Sequence, residues 1–253
     1  MRLSSLGSGS NGNATLVELG RVCIMIDCGF GLKDTVARLE RVDRVPSDID
    51  AILVTHEHSD HIGGVEAFAH RFNIQVYMTE GTARAWRSKG RVAPKLIRAE
   101  SDFLIGEVEI RPVAVPHDAR EPVQFVFQQS GTKIGVLTDL GSITPHVVAN
   151  YLDCQALLIE ANHDVDMLAN GPYPYRLKQR VSGPWGHLNN NQAAELLHRI
   201  NVNKRLQHLV IGHISQKNNS SELAAAAISE QAKSVGQVLY AEQDEPLGWM
   251  EIY

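Results

Sequence analysis

Three cysteines in 253 residues, Cys23, Cys28 and Cys154, are too few and odd in number to build a disulfide framework. Their scarcity points to a reducing, cytoplasmic setting. Nor does any run approach the ~20 consecutive apolar residues that a membrane-spanning helix needs, and the opening MRLSSLGSGSNGN lacks the apolar core of a secretory leader. No membrane contact is therefore expected. The chain has no internal repeat, no low-complexity tract and no linker, so one domain over residues 1–253 is expected. A net charge of −5 excludes a surface coated throughout for polyanions, although a local basic patch stays open. What is present is core: 43% hydrophobic residues and 20 glycines suffice for a buried interior with many tight turns.

Strand signals dominate the pattern. LVEL (16–19) and VCIMID (22–27), separated by Gly20-Arg21, read as a hairpin, and AILVT (51–55) reads as a strand buried on both faces. Further strands are expected at 74–78, 107–115, 123–127, 133–139, 156–160 and 209–212. Helical spacing fits 31–42, 62–72, 144–152, 190–200 and 221–235, and about 162–187 reads as one long irregular stretch. Strands mixed with helices throughout imply a layered α/β fold.

The polar residues of interest follow the strands. In LVTHEHSDHIGG (53–64), His56, His58, Asp60 and His61 place three imidazoles and a carboxylate within six positions. On an extended loop His56 and His58 point the same way and can reach one cation. Asp60 and His61, displaced by a turn, face elsewhere and can serve a second. His117 in VPHDA, Asp139 in LTDLG and His213 in IGHIS are the natural suppliers of the remaining ligands from other strand ends. A carboxylate shared between two cations would set them ~3.5–4 Å apart. Asp27 is expected to orient the ligand loop by hydrogen bonding rather than to bind metal. His70, His146, His198 and His208, which lack polar company in the sequence, are assigned to surface or packing roles.

His187 precedes Asn189–Asn191, residues suited to cap the helix NNQAAELLHRI, and so stands near a helix start that favours anions. A protonated imidazole there could stabilise a pentacovalent phosphate or give a proton to a leaving oxygen. His163 either lines the same cleft or closes a loop. Two segments are basic: RAWRSKGRVAPKLIR (84–98), with six basic residues and no acidic one, and YPYRLKQR (173–180), with three basic residues and two tyrosines. Either suits a phosphate backbone, and a solvated helix face explains the first equally well.

THEHSDH followed in order by His117, Asp139 and His213 resembles the metallo-β-lactamase superfamily, over essentially the whole chain. The resemblance implies an αββα sandwich with two divalent metal ions, zinc or manganese, at one edge. Carried over by motif, His56, His58 and His117 would hold the first metal, Asp60, His61 and His213 the second, and Asp139 both. Asp139 stands where classical β-lactamases have a cysteine, which turns the expectation away from that activity. LGSGSNGNATLV, LIEANHD, GHLNNNQAAEL and GHISQKNN are similar to the YycJ/WalJ branch, described as 5′-to-3′ DNA exonucleases. Glu160 with the GH…QAA pattern also resembles tRNase Z and the PhnP phosphodiesterases, in which the histidine matching His187 stands beside the scissile phosphate. The tRNase Z exosite arm and the β-CASP insertion are both absent. The resemblance therefore implies a two-metal phosphodiesterase or exonuclease acting on DNA through a metal-bridging hydroxide, with Asp60, His187, Glu160 and His163 as candidate catalytic residues. The alternative is a hydrolase of small esters, thioesters or lactones on the same fold. A redox or metal-sensing protein would need a flavin or iron partner domain, for which this chain has no room, and a homo-oligomer stays open.

Overall fold

Side chains alternate between the two faces of a strand, and here that alternation sorts residues into separate cores. In a computed structural model describing residues 1–253, Ile24 and Ile26 enter a core shared by two sheets, while Cys23 and Met25 of the same strand enter a core under helices. In Ala156–Glu160, Ala156 and Leu158 join the shared core, and Leu157 and Ile159 face outward to other helices. Three cores between four layers follow, which is the αββα sandwich.

The first sheet comprises β1 (Arg2–Gly7), β2 (Ala14–Leu19), β3 (Val22–Ile26), β4 (Ala51–Leu53), β5 (Gln75–Thr79) and β6 (Lys95–Ile97), with the last strand of the chain, β14 (Leu247–Glu251), at one edge beside β1. The second runs in space as in sequence: β7 (Phe103–Ile105), β8 (Val108–Ala114), β9 (Val123–Gln129), β10 (Thr132–Leu137), β11 (Ala156–Glu160), β12 (His208–Gly212) and β13 (Gln237–Tyr240). The sheets share one plan. Four strands pair antiparallel and the ladder then continues parallel, from β3 through β6 in one and from β10 through β13 in the other. Parallel neighbours need crossover helices. α1 (Leu32–Glu40) and α3 (Val65–Phe72), the latter preceded by the single turn α2 (Ser59–Ile62), cover the first sheet. α5 (Pro145–Tyr151), α8 (Asn190–Ile200) and α9 (Ser221–Ala232) cover the second. The remaining helices are α4 (Glu80–Ala85), α6 (Val165–Asn170) and α7 (Tyr175–Val181).

Several local expectations need correcting. The helix expected over 62–72 breaks at Gly63-Gly64 into α2 and α3, where the Gly64 N–H donates to the Cys28 carbonyl at 2.7 Å rather than to Asp60, an approach open only to glycine because a Cβ there would lie 1.8 Å from the Phe30 carbonyl oxygen. The stretch about 162–187 is not irregular: it folds into α6 and α7, the first started by the Asp164 side chain accepting from the Met167 N–H. AILVT is strand only to Leu53. β1 went unforeseen because its serines broke the apolar pattern, yet Ser4 and Ser5 are buried, with Ser4 Oγ donating to the Leu247 carbonyl. β6, β7, β13, β14 and α4 also went unforeseen. No helix is long and apolar enough to cross a membrane.

Candidate metal centre and adjoining cleft

In open α/β sheets the space beyond the carboxyl ends of parallel strands receives ligands. Asp27 follows β3, His56 lies just beyond β4, Asp139 beyond β10 and His213 beyond β12, while Glu160 is the last residue of β11. Asp27, Asp139 and His213 turn there with φ of 59°, 46° and 50°, a left-handed backbone costing such residues on the order of 1–3 kcal/mol each. Strain gathered at strand ends is the mark of a site held by its surroundings. Gly29 admits the ligand loop: a Cβ would stand 1.9 Å from the Asp60 carbonyl oxygen.

The first donor group is His56, His58 and His117. Thr55 spends its hydroxyl proton on Asp27 at 2.8 Å, so the same oxygen accepts from His56 Nδ1 at 2.9 Å and leaves Nε2 as a bare lone pair. His117 Nδ1 donates to the Gly186 carbonyl at 3.0 Å, which frees its Nε2 likewise. These two nitrogens stand 2.9 and 3.3 Å from His58 Nδ1. Three imidazole nitrogens thus converge, those of His56 and His117 as bare lone pairs, an arrangement that a cation stabilises. Burial lowers the pKa of His56 and of His117, so both rings stay neutral.

The second group is Asp60, His61 and His213, and Asp139 adjoins both. Its Oδ2 lies 3.1 Å from His61 Nε2, and its Oδ1 lies 3.4 Å from His213 Nδ1 and 3.8 Å from His117 Nε2. Burial opposes charge on His61, yet Asp139, Asp60 and Asp27 raise its pKa well above the ordinary value. Burial likewise opposes charge on His213, and Asp139, Asp60 and Glu160 lift it to about 10. This side of the site is therefore anionic and calls for positive charge. Asp139 Oδ2 and both ring nitrogens of His213 are buried without a hydrogen-bond partner, an orphaning that ligation removes. The residues fit divalent metal ions.

Buried carboxylates stand behind the ligands. Asp27 accepts from the Thr55 N–H at 2.8 Å and from His61 Nδ1 at 2.7 Å, which aims His61 Nε2 into the site. Glu160 accepts from the Leu140 N–H at 2.6 Å, the Leu188 N–H at 3.2 Å and His187 Nδ1 at 3.0 Å, thereby clasping two site loops as well as a ring. Burial pushes its pKa up, but His187 and His213 prevail and hold it near about 2. His187 lies two residues before the Asn189 cap of α8. It lines a cleft of about 290 Å³ together with His58, Asp60, Asp139, Arg180 and His213. His163 does not line that cleft and joins none of the donor groups; its backbone bridges Asn189, and burial lowers its pKa to about 4.

Two further contributors, Asn13 and Ser8, carried no legible role in the sequence, and a third, Arg180, belongs to the basic YPYRLKQR segment. Asn13, from the SGSNGN loop, approaches Asp60 Oδ2 at 3.3 Å and His61 Nε2 at 3.2 Å. Ser8 donates to Asn13 and accepts from the His213 N–H at 2.8 Å, joining the two halves of the site. Arg180 pairs with Asp118 at the cleft mouth and approaches His58 Nε2 at 3.5 Å. Of the histidines set aside, His70, His146 and His198 are exposed, and His146 does have company in Glu100 at 2.8 Å.

Residues 23–214 match the family model described as the β-lactamase superfamily domain. The chain is 35% identical over 229 residues to an exodeoxyribonuclease WalJ of Streptococcus pneumoniae, covering 88% of this chain and 85% of that protein. It is 32% identical over 240 residues to an exodeoxyribonuclease YycJ of Bacillus anthracis, covering 93% and 90%. Among solved structures, the metallo-β-lactamase fold protein YhfI of Bacillus subtilis superposes with a TM-score of 0.72 at 14% identity, covering 99% of both chains.

Proposed function

The chain belongs to the β-lactamase superfamily, and from that premise we propose that it is a two-metal phosphodiesterase that degrades DNA as an exonuclease from the 5′ end. His56, His58 and His117 would hold one ion, Asp60, His61 and His213 the other, and Asp139 both, with zinc or manganese suited to such mixed ligands. When bound, the ions supply a water acidic enough to attack at neutral pH and positive charge beside the phosphoryl oxygens.

The observation that carries the reading is the His187–Glu160 pair. A buried carboxylate holds Nδ1 at 3.0 Å, and the ring lines the cleft beside Asp139 and Asp60, which leaves Nε2 as the nitrogen available to substrate. Cleaving a phosphodiester expels an alkoxide that needs a proton, and a histidine so held, when its ring carries both protons, delivers the one on Nε2 while Nδ1–H stays on Glu160. Asp60, which lines the same cleft, would orient the attacking water. Arg180, whose guanidinium borders the cleft, offers positive charge to the adjoining phosphate. Glu160 acts through His187 and is a positioning residue, as Asp27 is for His61. His163, outside the cleft, braces the turn into α8 by accepting from the Asn190 N–H at 3.0 Å.

The test is hydrolysis by metal-reconstituted protein of single-stranded DNA, duplex DNA and RNA, each labelled at one end or the other, with thioester and lactone substrates alongside. Release of mononucleotides from the 5′ end of DNA is expected. Turnover of the esters with no cleavage of any nucleic acid would replace this reading with that of a small-ester hydrolase.

A further inference from the structure

A second hollow, about 690 Å³, adjoins the cleft and shares His58 and Ser59 with it. Its far wall is the basic segment after α4, with Trp86, Arg87, Lys89 and Arg91 lining it. The segment is fastened by its backbone. Glu66 of α3 accepts from the Lys89 N–H at 2.8 Å, the Arg91 N–H at 3.0 Å and Ser88 Oγ at 2.8 Å. Trp86 packs half-buried against the core under the first sheet. Main chain is thus fixed while side chains stay free. Arg87, Lys89 and Arg91 are exposed, and none makes an ion pair or a side-chain hydrogen bond, whereas neighbouring Arg84 pairs with Glu80. Two carboxylates, Glu57 and Glu66, also line the hollow, and Glu66 turns its oxygens to the backbone N–H groups rather than forming an ion pair with any of the three.

Three unpaired cations on a fixed backbone, in an acidic protein and in a hollow continuous with the active cleft, make a surface for a chain of phosphates. The cleft is also lined by Leu177 and Val181 of α7 and by Tyr173 just before that helix. We propose that the groove from His58 to Arg91 carries the DNA strand flanking the scissile phosphate, with Arg87, Lys89 and Arg91 on its backbone phosphates, an inference that rests on the nuclease reading above. The terminal nucleotide then sits under α7. The enzyme grips the strand it keeps.

The test replaces all three cations, as Arg87→Ala with Lys89→Ala and Arg91→Ala, in the metal-loaded protein. For a single strand about 12 nucleotides long, within the ~4–16-nucleotide span of single-strand sites, KM should rise roughly tenfold with kcat unchanged. The slope of log KM against log salt should fall by about 2, since each single-strand phosphate contact contributes about 0.7. Hydrolysis of a nitrophenyl phosphodiester, too short to reach the groove, should not change. The charge-retaining triple Arg87→Lys, Lys89→Arg, Arg91→Lys should restore KM, which a merely structural defect would not. An unchanged KM and salt slope, in a protein that degrades DNA, would overturn the groove while leaving the nuclease reading intact. Equal losses on long and short substrates would overturn it as well. Failure of the unaltered protein to cut any DNA would remove the nuclease reading, and the groove with it.

Discussion

In each sheet a buried carboxylate at the carboxyl end of a strand holds an imidazole: Asp27, just past β3, holds His61 at 2.7 Å, and Glu160, the last residue of β11, holds His187 at 3.0 Å. The pairs differ in what lies beyond the ring. His61 is sealed, with 0% of its side chain exposed and carboxylates facing its free nitrogen. His187 keeps 19% exposed and lines the cleft. On the proposed function, one device, a carboxylate fixing a ring through Nδ1, would yield a ligand where the second nitrogen meets other protein groups and a proton donor where it meets substrate. Exposure of the far nitrogen separates structure from chemistry here.

Predictions follow the depth of each group in that scheme. Asp60 lies between the pairs, against His61 and at the cleft, so Asp60→Ala should abolish turnover and lower the metal bound after reconstitution. Rate measurement with elemental analysis checks both, and near-normal activity would remove Asp60 from the machinery. Next comes the open ring. His187→Ala should keep fold and metal content but lose roughly 10²–10⁴-fold in kcat on DNA, the span of a general acid. The loss should shrink on a nitrophenyl phosphodiester, whose leaving group departs without a proton. Equal loss on both substrates would leave His187 only a charge-stabilising role.

The smallest effects test the two carboxylates directly. Asp27→Asn should weaken metal affinity roughly 10–100-fold, as is usual for partners behind ligating histidines. Glu160→Gln should lower kcat about tenfold and shift metal affinity by less than about threefold, since its ring serves the substrate side. Metal titration and kinetics on the same two proteins decide the matter. Identical responses would mean that the two pairs do one job.

Four of the residues facing the candidate metal centre, His56, His58, Asp60 and His61, lie within six positions, and the alternation of His56 with His58 followed by a turn to Asp60 and His61 foretells two donor groups. That part was legible in the sequence because the spacing is short. So were most buried strands, whose apolar runs need no partner to be recognised. The split of each strand's two faces between different cores required the second sheet. Asn13 and Ser8 were illegible as site residues for the same reason, because a polar residue in a polar loop gains meaning only from what folds against it, whereas Arg180 was legible as part of the basic YPYRLKQR segment. Serine-rich β1 shows the point in the core: its hydroxyls are acceptable inside because β14, from the opposite end of the chain, supplies the acceptor for Ser4. The sequence by itself determined which residue types could hold metal and that strands would present them. Only the tertiary structure decided which imidazole nitrogen each partner would occupy, and so which ring is sealed as a ligand and which is left facing the cleft. Apart from Thr55, which adjoins His56, those partners lie from 27 residues (Glu160 and His187) to 69 residues (His117 and Gly186) away along the chain, beyond the reach of any local pattern.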